Sequence, residues 1–352
     1  MATNYKQLSD SIRGRINPEN FILKKSFSDE LATLSYSEVL SYIRLAMKGV
    51  EPEYTQKSKD AGERVKEHLS RELSNVVFRY QGSVMTDTHI KGYSDIDLLT
   101  ICDKFYSYDA STMKQILNVP EIKASYRQTS IEKIQNEVSK SSYQGSVLDD
   151  LRNLRLDSEK ALKVVYDICD TSKPKSIKIK NKSLNREVDV VIANWYDDVK
   201  SVLNDKGEYR GIQIYNKDTH SRGNADFPFL SIKRINDRSS DTNGRLKKMI
   251  RFLKNIKANS NHDIDISSFD INAICYDIEV SKYQNLSFYE LVPVIYNQMH
   301  SIVTNQSKAD SIVSVDEREY IFRGKSLKLD NLRKLLAEVE GIFNDLKVAI
   351  RV

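Results

Sequence analysis

The chain has 352 residues, of which 40% are hydrophobic and 29% are charged. This composition excludes long disordered regions, and the length predicts about two units that share a core. The formal charge of +5 is modest and does not argue for a duplex nucleic acid partner. Cys102, Cys169 and Cys275 are far apart, which argues against a disulfide framework or a zinc site. Because no apolar run has the length of a signal peptide or a membrane span, we expect a cytoplasmic protein.

Two predicted helices precede the first predicted strand. The first begins near residue 35 and is broken by Gly49 and Pro52. The second has an apolar residue at every fourth position, namely Ala61, Val65, Leu69 and Leu73. This single stripe is typical of a long amphipathic helix. That helix leads into residues 76–80, a β-branched and aromatic run that predicts a strand.

A turn and a pair of acids follow that strand. Gly82 lets backbone N–H groups approach a phosphate closely, and Ser83 adds a hydroxyl donor. After a short loop, Asp95 and Asp97 flank Ile96 at the start of another strand, so both carboxylates point to one face. Adjacent carboxylates repel each other unless cations neutralise them. Mg²⁺ is the usual cation at such a pair, because it is bound by oxygen ligands and commonly binds protein carboxylates and substrate phosphates together. Such a pair alone is more often simply solvated, but the Gly-Ser turn before it favours nucleotide chemistry.

The middle of the chain predicts helices and a hairpin. Residues 103–145 are polar, with a helical piece near 131–138, and read as an elaboration on the core. A helix over residues 147–169 is followed by two strand-like runs, 176–180 and 187–192, whose polar connection is typical of a hairpin.

Asp189 is the candidate for a third acid. It has apolar neighbours on both sides in the strand, so its charge is costly unless a metal or a partner compensates for it. Glu187 lies on the same face and is the competing candidate, but it follows Arg186 at the polar end of the strand. The alternative reading of Asp189 is a half-exposed acid on an edge strand.

The character of the chain changes near residue 230, after a last predicted strand at 209–215. Nearly every later segment is helical, as at 246–256, 269–278, 288–303 and 327–350. We therefore predict an α+β protein with a mixed half at residues 1–230, including the N-terminal helices, and a helical half at 231–352. No linker separates the halves, so we expect them to pack together with a cleft between them.

The sequence of motifs resembles the nucleotidyltransferase superfamily related to DNA polymerase β. Its signature of Gly-Ser, Asp-x-Asp and a later acid is matched in order and spacing by Gly82, Ser83, Asp95, Asp97 and Asp189. The resemblance implies a mixed sheet flanked by helices, packed against a helical domain like that of oligoadenylate synthetase, with the active site in the cleft. It also implies that the three acids are catalytic and hold two Mg²⁺ ions, for which Mn²⁺ can substitute.

More narrowly, the chain resembles the bacterial cGAS/DncV-like nucleotidyltransferases. Three features carry this resemblance: the long leading helix, residues 249–254 and residues 267–269. The resemblance implies that nucleoside triphosphates are joined into a cyclic di- or trinucleotide second messenger with release of pyrophosphate, in bacterial antiphage (CBASS) signalling. The nucleotide-binding residues it implies are Gln81, Gly82, Ser83, Lys254, Ser268 and Phe269. Three of these residues also have an alternative interpretation without a nucleotide: Lys254 as a solvated lysine, Ser268 as a helix N-cap and Phe269 as a core aromatic.

The resemblance also implies the partners. We expect ATP, with GTP, UTP or CTP as further substrates, a separate effector protein that reads the cyclic product, and regulatory protein partners. We expect no membrane, and no DNA as activator because the chain lacks the zinc-binding insertion with which animal cyclic GMP-AMP synthase holds DNA. Two other functions stay open at this point: transfer of a nucleotide to RNA, a protein or a small molecule, and a non-catalytic nucleotide-binding module.

Overall fold

A computed structural model describes residues 4–14, 38–90 and 96–350. The chain divides into two compact units. The sheet unit comprises residues 51–85 and 95–233, and the helical unit comprises residues 1–50, 86–94 and 234–352. The chain therefore leaves the sheet unit at residue 86, shortly after the predicted Gly-Ser turn, and it leaves again at residue 234, close to the predicted boundary at residue 230.

The sheet unit is built on seven strands. These are β1 (Val76–Gln81), β2 (Ile96–Tyr108), β3 (Cys169–Asp170), β4 (Ile177–Asn181), β5 (Arg186–Asp197), β6 (Gly211–Asn216) and β7 (Ser221–Asp226). The helices of the chain, in order, are α1 (Tyr5–Gly14), α2 (Glu38–Met47), α3 (Pro52–Glu72), α4 (Ala110–Asn118), α5 (Pro120–Lys123), α6 (Gln128–Val138), α7 (Val147–Val165), α8 (Val199–Leu203), α9 (Pro228–Asp241), α10 (Arg245–Asn259), α11 (Ser268–Tyr276), α12 (Leu291–Thr304), α13 (Gln306–Ser311) and α14 (Ser326–Ile350).

The sheet is mixed. Its strand order is β1-β2-β5-β4-β3, with β6 pairing with β5 and β7 pairing with β6. Strand β2 pairs antiparallel with β1 and parallel with β5. Strands β4 and β5 form the predicted hairpin, in which Asn181 pairs with Arg186. Strands β3 and β4 lie between β2 and β5 in sequence. The parallel pairing of β2 with β5 brings the strand that carries Asp97 beside the strand that carries Asp189.

The two faces of the central strands differ. On one face the side chains of Ile96, Leu98, Val188 and Val190 pack with the apolar stripe of α3 and with Leu162 of α7. The other face has an apolar cluster formed by Leu99, Ile101, Val191, Ala193, Trp195, Ile212 and Phe229. Since side chains alternate along a strand, Asp97 and Asp189 belong to this second face, at the end of its apolar cluster. The predicted stripe on α3 is confirmed for Ala61, Val65 and Leu69, which are fully buried, whereas its fourth member, Leu73, is the C-cap residue and is partly buried.

The helical unit has a core of its own, to which α1, α2, α10, α11, α12 and α14 contribute. The apolar side of α2, including Ile43 and Ala46, is completely buried in this core. The predicted division placed the N-terminal helices in the mixed half at residues 1–230. In the structure α1 and α2 belong to the helical unit, because their apolar side chains pack in one core with those of α10. In the part of the chain that is described, no helix combines the length and apolarity needed to cross a bilayer.

Candidate active site

A row of polar side chains crosses four neighbouring strands of the sheet. Gln81 of β1 is the register partner of Asp97 of β2. Asp97 is in turn paired with Asp189 of β5, and Asp189 with Lys178 of β4. Register partners on adjacent strands carry their side chains on the same face. The two acids therefore lie side by side on one face although 92 positions separate them in sequence. Asp95, the other predicted acid of the pair, lies outside the described residues.

The turn after β1 lies directly against Asp97. Gly82 has a φ of +89°, a left-handed conformation that favours glycine. A Cβ atom at this position would be 2.9 Å from Oδ2 of Asp97. The backbone N–H of Met85 donates to the Gly82 carbonyl over 3.2 Å, which closes the turn around Ser83. A side chain at position 82 would thus fill the space beside the Asp97 carboxylate.

Gln81, at the end of the row, carries a buried polar atom. Its side-chain oxygen Oε1 is buried and makes no hydrogen bond to any described residue. A buried acceptor without a donor is costly, so this atom marks a position where a bound group would supply one. It stands beside Asp97 in the register.

Asp189 has the neighbours that the sequence indicated. Val188 and Val190 on either side of it are fully buried, whereas Asp189 is half-exposed. The hydroxyl of Ser176 donates to Oδ1 of Asp189 over 3.4 Å. The competing acid, Glu187, has its Oε2 2.6 Å from the ammonium of Lys178. The register beside Asp97 and the ion pair of Glu187 together favour Asp189 as the acid of this strand that faces a metal.

The carboxylate oxygens of the row are suitable ligands for Mg²⁺. Two carboxylates on one face offer hard oxygen ligands, and the missing side chain at Gly82 leaves room beside one of them. Across the residues that the structure describes, no three His, Cys, Asp or Glu side chains form a ligand cluster, and Asp95 is not among those residues. Mg²⁺ commonly takes one or two protein carboxylates and completes its shell with water and substrate phosphates. Asp97 and Asp189 therefore fit such an ion.

Lys254 lies in the helical unit and is buried. Its ammonium donates to the backbone carbonyl of Thr88 over 3.1 Å and approaches the Thr88 hydroxyl at 3.3 Å. Burial lowers the pKa of Lys254 to about 8. Thr88 lies in the sequence between the Gly82 turn and Asp97, so Lys254 holds the segment that connects them.

Arg251, one turn before Lys254 on α10, is a residue whose role sequence reasoning missed. It is 6% exposed and donates to the carbonyls of Met47, over 2.9 Å, and Asp87, over 2.7 Å. Arg251 and Lys254 together bind two neighbouring carbonyls, of Asp87 and Thr88. The available signal was the presence of two basic residues among the apolar positions of a helix, since a buried cation needs acceptors.

The start of α11 holds the predicted Ser-aromatic pair. The N-cap is Ser267, whose side chain forms a capping box with Asp270, so Ser268 is the first helical residue and is exposed. Phe269 is partly buried against the core of the helical unit. Lys328 of α14 contacts Asp270 over 2.8 Å and thereby fixes the cap. The cap leaves Ser268 and one part of the Phe269 side chain accessible.

Comparisons with known proteins identify the relatives of this chain. A family model for the C-terminal helical domain of cGAS/DncV-like nucleotidyltransferases matches residues 233–344. The chain is 54% identical over 348 residues to a c-di-GMP synthase of Capnocytophaga granulosa, covering 98% of both chains. It is 43% identical to a c-di-GMP synthase of a Lachnospiraceae bacterium, covering 97% of this chain and 99% of the relative. A solved structure of a STING-associated CdnE c-di-GMP synthase from Flavobacteriaceae sp. has a TM-score of 0.89 and 39% identity, covering 98% and 99% of the two chains. The predicted α+β fold class is confirmed.

Proposed function

The chain belongs to the cGAS/DncV-like nucleotidyltransferases, as its relatives show over nearly its whole length, and from this premise we propose that it joins two molecules of GTP into c-di-GMP. It is a nucleotidyltransferase that makes a cyclic dinucleotide. The choice of guanine rests on the names of the relatives at 54% and 43% identity. The observation that carries the chemistry is the pairing of Asp97 with Asp189 across two parallel strands.

The reaction needs a ribose hydroxyl to attack the α-phosphorus of a nucleoside triphosphate. The new bond joins the hydroxyl oxygen to phosphorus, the bond to pyrophosphate breaks, and the hydroxyl gives its proton to water. Divalent ions, when bound, lower the pKa of the hydroxyl and neutralise charge on the phosphate oxygens. We propose two ions, with Asp97 and Asp189 as ligands on the sheet and with Asp95, the other member of the predicted acidic pair, as a further ligand.

The turn after β1 supplies the contacts to the triphosphate in this proposal. Backbone N–H groups that follow a glycine in the left-handed conformation can surround an anion, and Gly82 has this conformation. Ser83 adds its hydroxyl, and the buried acceptor of Gln81 offers a place for a donor of the substrate. The contacts of Lys254, Ser268 and Phe269 with the nucleotide stay predictions from the family resemblance.

Ring closure repeats the same chemistry. After the first transfer, the linear intermediate must turn so that its second hydroxyl attacks the remaining triphosphate, which releases a second pyrophosphate. We propose that a separate effector protein reads the product, because the relative from Flavobacteriaceae is described as STING-associated.

The test is a reaction of the purified chain with Mg²⁺ and each ribonucleoside triphosphate, alone and in mixtures, without any acceptor. We expect GTP alone to give a phosphatase-resistant product with the mass of c-di-GMP, together with pyrophosphate. A cyclic product with another base composition would overturn the assignment of guanine only. Absence of both cyclic product and pyrophosphate under all mixtures would overturn the synthase assignment and favour a binding module.

A further inference from the structure

Lys178 is the basic residue in the row of polar side chains that includes Asp97 and Asp189. It is the register partner of Asp189 on β4, so both side chains lie on the same face. Its ammonium is 2.6 Å from Oε2 of Glu187, which lies diagonally across the strand pair, two residues before Asp189. The direct partner of Glu187 is Lys180, yet the ion pair is made by Lys178. The charge of Lys178 is therefore held beside the proposed metal ligand.

This ion pair is less accessible than a neighbouring one, which joins Lys182 in the turn of the hairpin to Asp167 in the segment between α7 and β3. The side chains of Lys178 and Glu187 are 25% and 40% exposed, whereas those of Lys182 and Asp167 are 60% and 77% exposed at a similar separation of 2.7 Å. Charges interact more strongly where water is partly excluded. A full positive charge next to Asp189 opposes the binding of a divalent cation there, and Glu187 offsets that charge.

We propose that Lys178 and Glu187 are positioning residues that set the Mg²⁺ concentration at which the row of acids becomes occupied. Lys178 acts as a built-in counter-ion for Asp189, which reduces the repulsion between the two carboxylates before the metal binds. Glu187 draws the ammonium along the strand so that Asp189 can accept the metal. This inference rests on the proposed function, since it assumes that Asp97 and Asp189 hold Mg²⁺.

The two residues should shift the Mg²⁺ dependence in opposite directions. Lys178→Met removes the competing charge and should lower the half-saturating Mg²⁺ concentration by about three- to tenfold. Glu187→Gln releases Lys178 toward Asp189 and should raise it by a similar factor. In the Lys178→Met background, Glu187→Gln should change it by less than about twofold, because Glu187 acts through the lysine.

Mg²⁺ binding is measured without nucleotide, as the rise in melting temperature across a Mg²⁺ titration, and then as product formation across the same titration. The matched controls are Lys182→Met and Asp167→Asn, which make the same changes of charge in a neighbouring, more exposed ion pair and should leave both midpoints unchanged. Lys178→Gln serves as a second variant, and circular dichroism verifies that each variant is folded. A pair that is merely structural would lower the melting temperature without moving either midpoint.

The outcomes separate the two proposals. If the natural sequence makes a cyclic product, and Asp189→Asn removes the Mg²⁺-dependent rise in melting temperature, the metal assignment holds. An unchanged midpoint in both Lys178 variants would then overturn the role of Lys178 alone. If Asp189→Asn keeps the full Mg²⁺-dependent rise, the metal assignment itself fails, whatever the Lys178 variants do.

Discussion

Charged side chains in the two units are treated in opposite ways. On the sheet, Asp97 and Asp189 lie side by side and are half-exposed. On α10 of the helical unit, Arg251 and Lys254 are almost completely buried, and each donates to backbone carbonyls. Two like charges in contact are unfavourable, whereas a buried cation bonded to carbonyls is satisfied within the protein.

This contrast separates charges that we propose bind a metal from charges that hold the chain in place. The acids offer oxygen ligands to a divalent cation, so their substitution should affect activity and leave the fold intact. The bases of α10 are bonded to the segment that precedes the second strand, so their substitution should affect stability first. The predictions below test this distinction.

The largest effect is expected at Asp97. Asp97→Asn removes one charge of the pair and should reduce formation of cyclic product by about a thousandfold or more, because metal and oxyanion stabilisation supplies most of the rate. The protein should stay folded. Product is measured by mass spectrometry and folding by thermal melting. The control is Asp167→Asn, at an exposed acid paired with Lys182. Near-normal activity of Asp97→Asn would remove the two-carboxylate metal site.

Gly82 tests whether the space beside Asp97 matters. Gly82→Ala should cost about 1–2 kcal/mol of stability through its positive φ. It should also reduce the rate by about a hundredfold, because a Cβ 2.9 Å from Oδ2 of Asp97 must displace the carboxylate. Gly324→Ala is the matched control: Gly324 has a φ of +70° and no atom within 4 Å of the added Cβ. It should lose stability and keep full activity. Equal losses of activity in both variants would contradict this account.

Local sequence pattern indicates more about the acids than about the bases. The alternation of polar and apolar residues around Asp97 and Asp189 indicates the face on which each side chain lies, and the glycine before them indicates a turn. The parallel pairing of β2 with β5 could not be inferred in this way, because four helices and two strands lie between these strands in sequence. The resemblance supplied that pairing.

Other features depended on packing that has no local signal. The partners of Arg251 and Lys254 lie more than 160 positions earlier in the chain, and a solvated helix face was an equally reasonable reading of Lys254. Strand β7, Ser221–Asp226, has little apolar character and was not predicted. It is fixed by its pairing with β6. The grouping of α1 and α2 with the helical unit likewise depends on long-range burial.

Lys254 tests the other side of the comparison. Its pKa of about 8 lies below the ordinary value of 10.5 because burial disfavours the charged form. The unfolded chain therefore binds the proton more tightly between these values, and the native state gains stability as pH rises from about 8 to 10.5. Relative to Lys254→Met, the natural residue should gain about 3 kcal/mol across this window.

Cys275 must be removed from that measurement. Burial raises the pKa of its thiol, with an effect of opposite sign above the ordinary value of 9.0. Chemical unfolding is therefore compared for both residues at position 254 in a Cys275→Ala background. A difference that does not vary with pH would contradict the lowered pKa of Lys254.

The smallest effect is expected at Phe269, whose side chain is partly buried and partly exposed. It packs partly against the helical unit, while the capping box of Ser267 leaves the beginning of α11 accessible. Phe269→Leu keeps apolar packing and loses the aromatic face, so it should raise the KM for GTP by about five- to tenfold if a base stacks there. Phe343→Leu is the control, since Phe343 is likewise partly buried against the same core. It should change stability only. An unchanged KM in Phe269→Leu would assign this ring to the core and leave Ser268 as the exposed member of the pair.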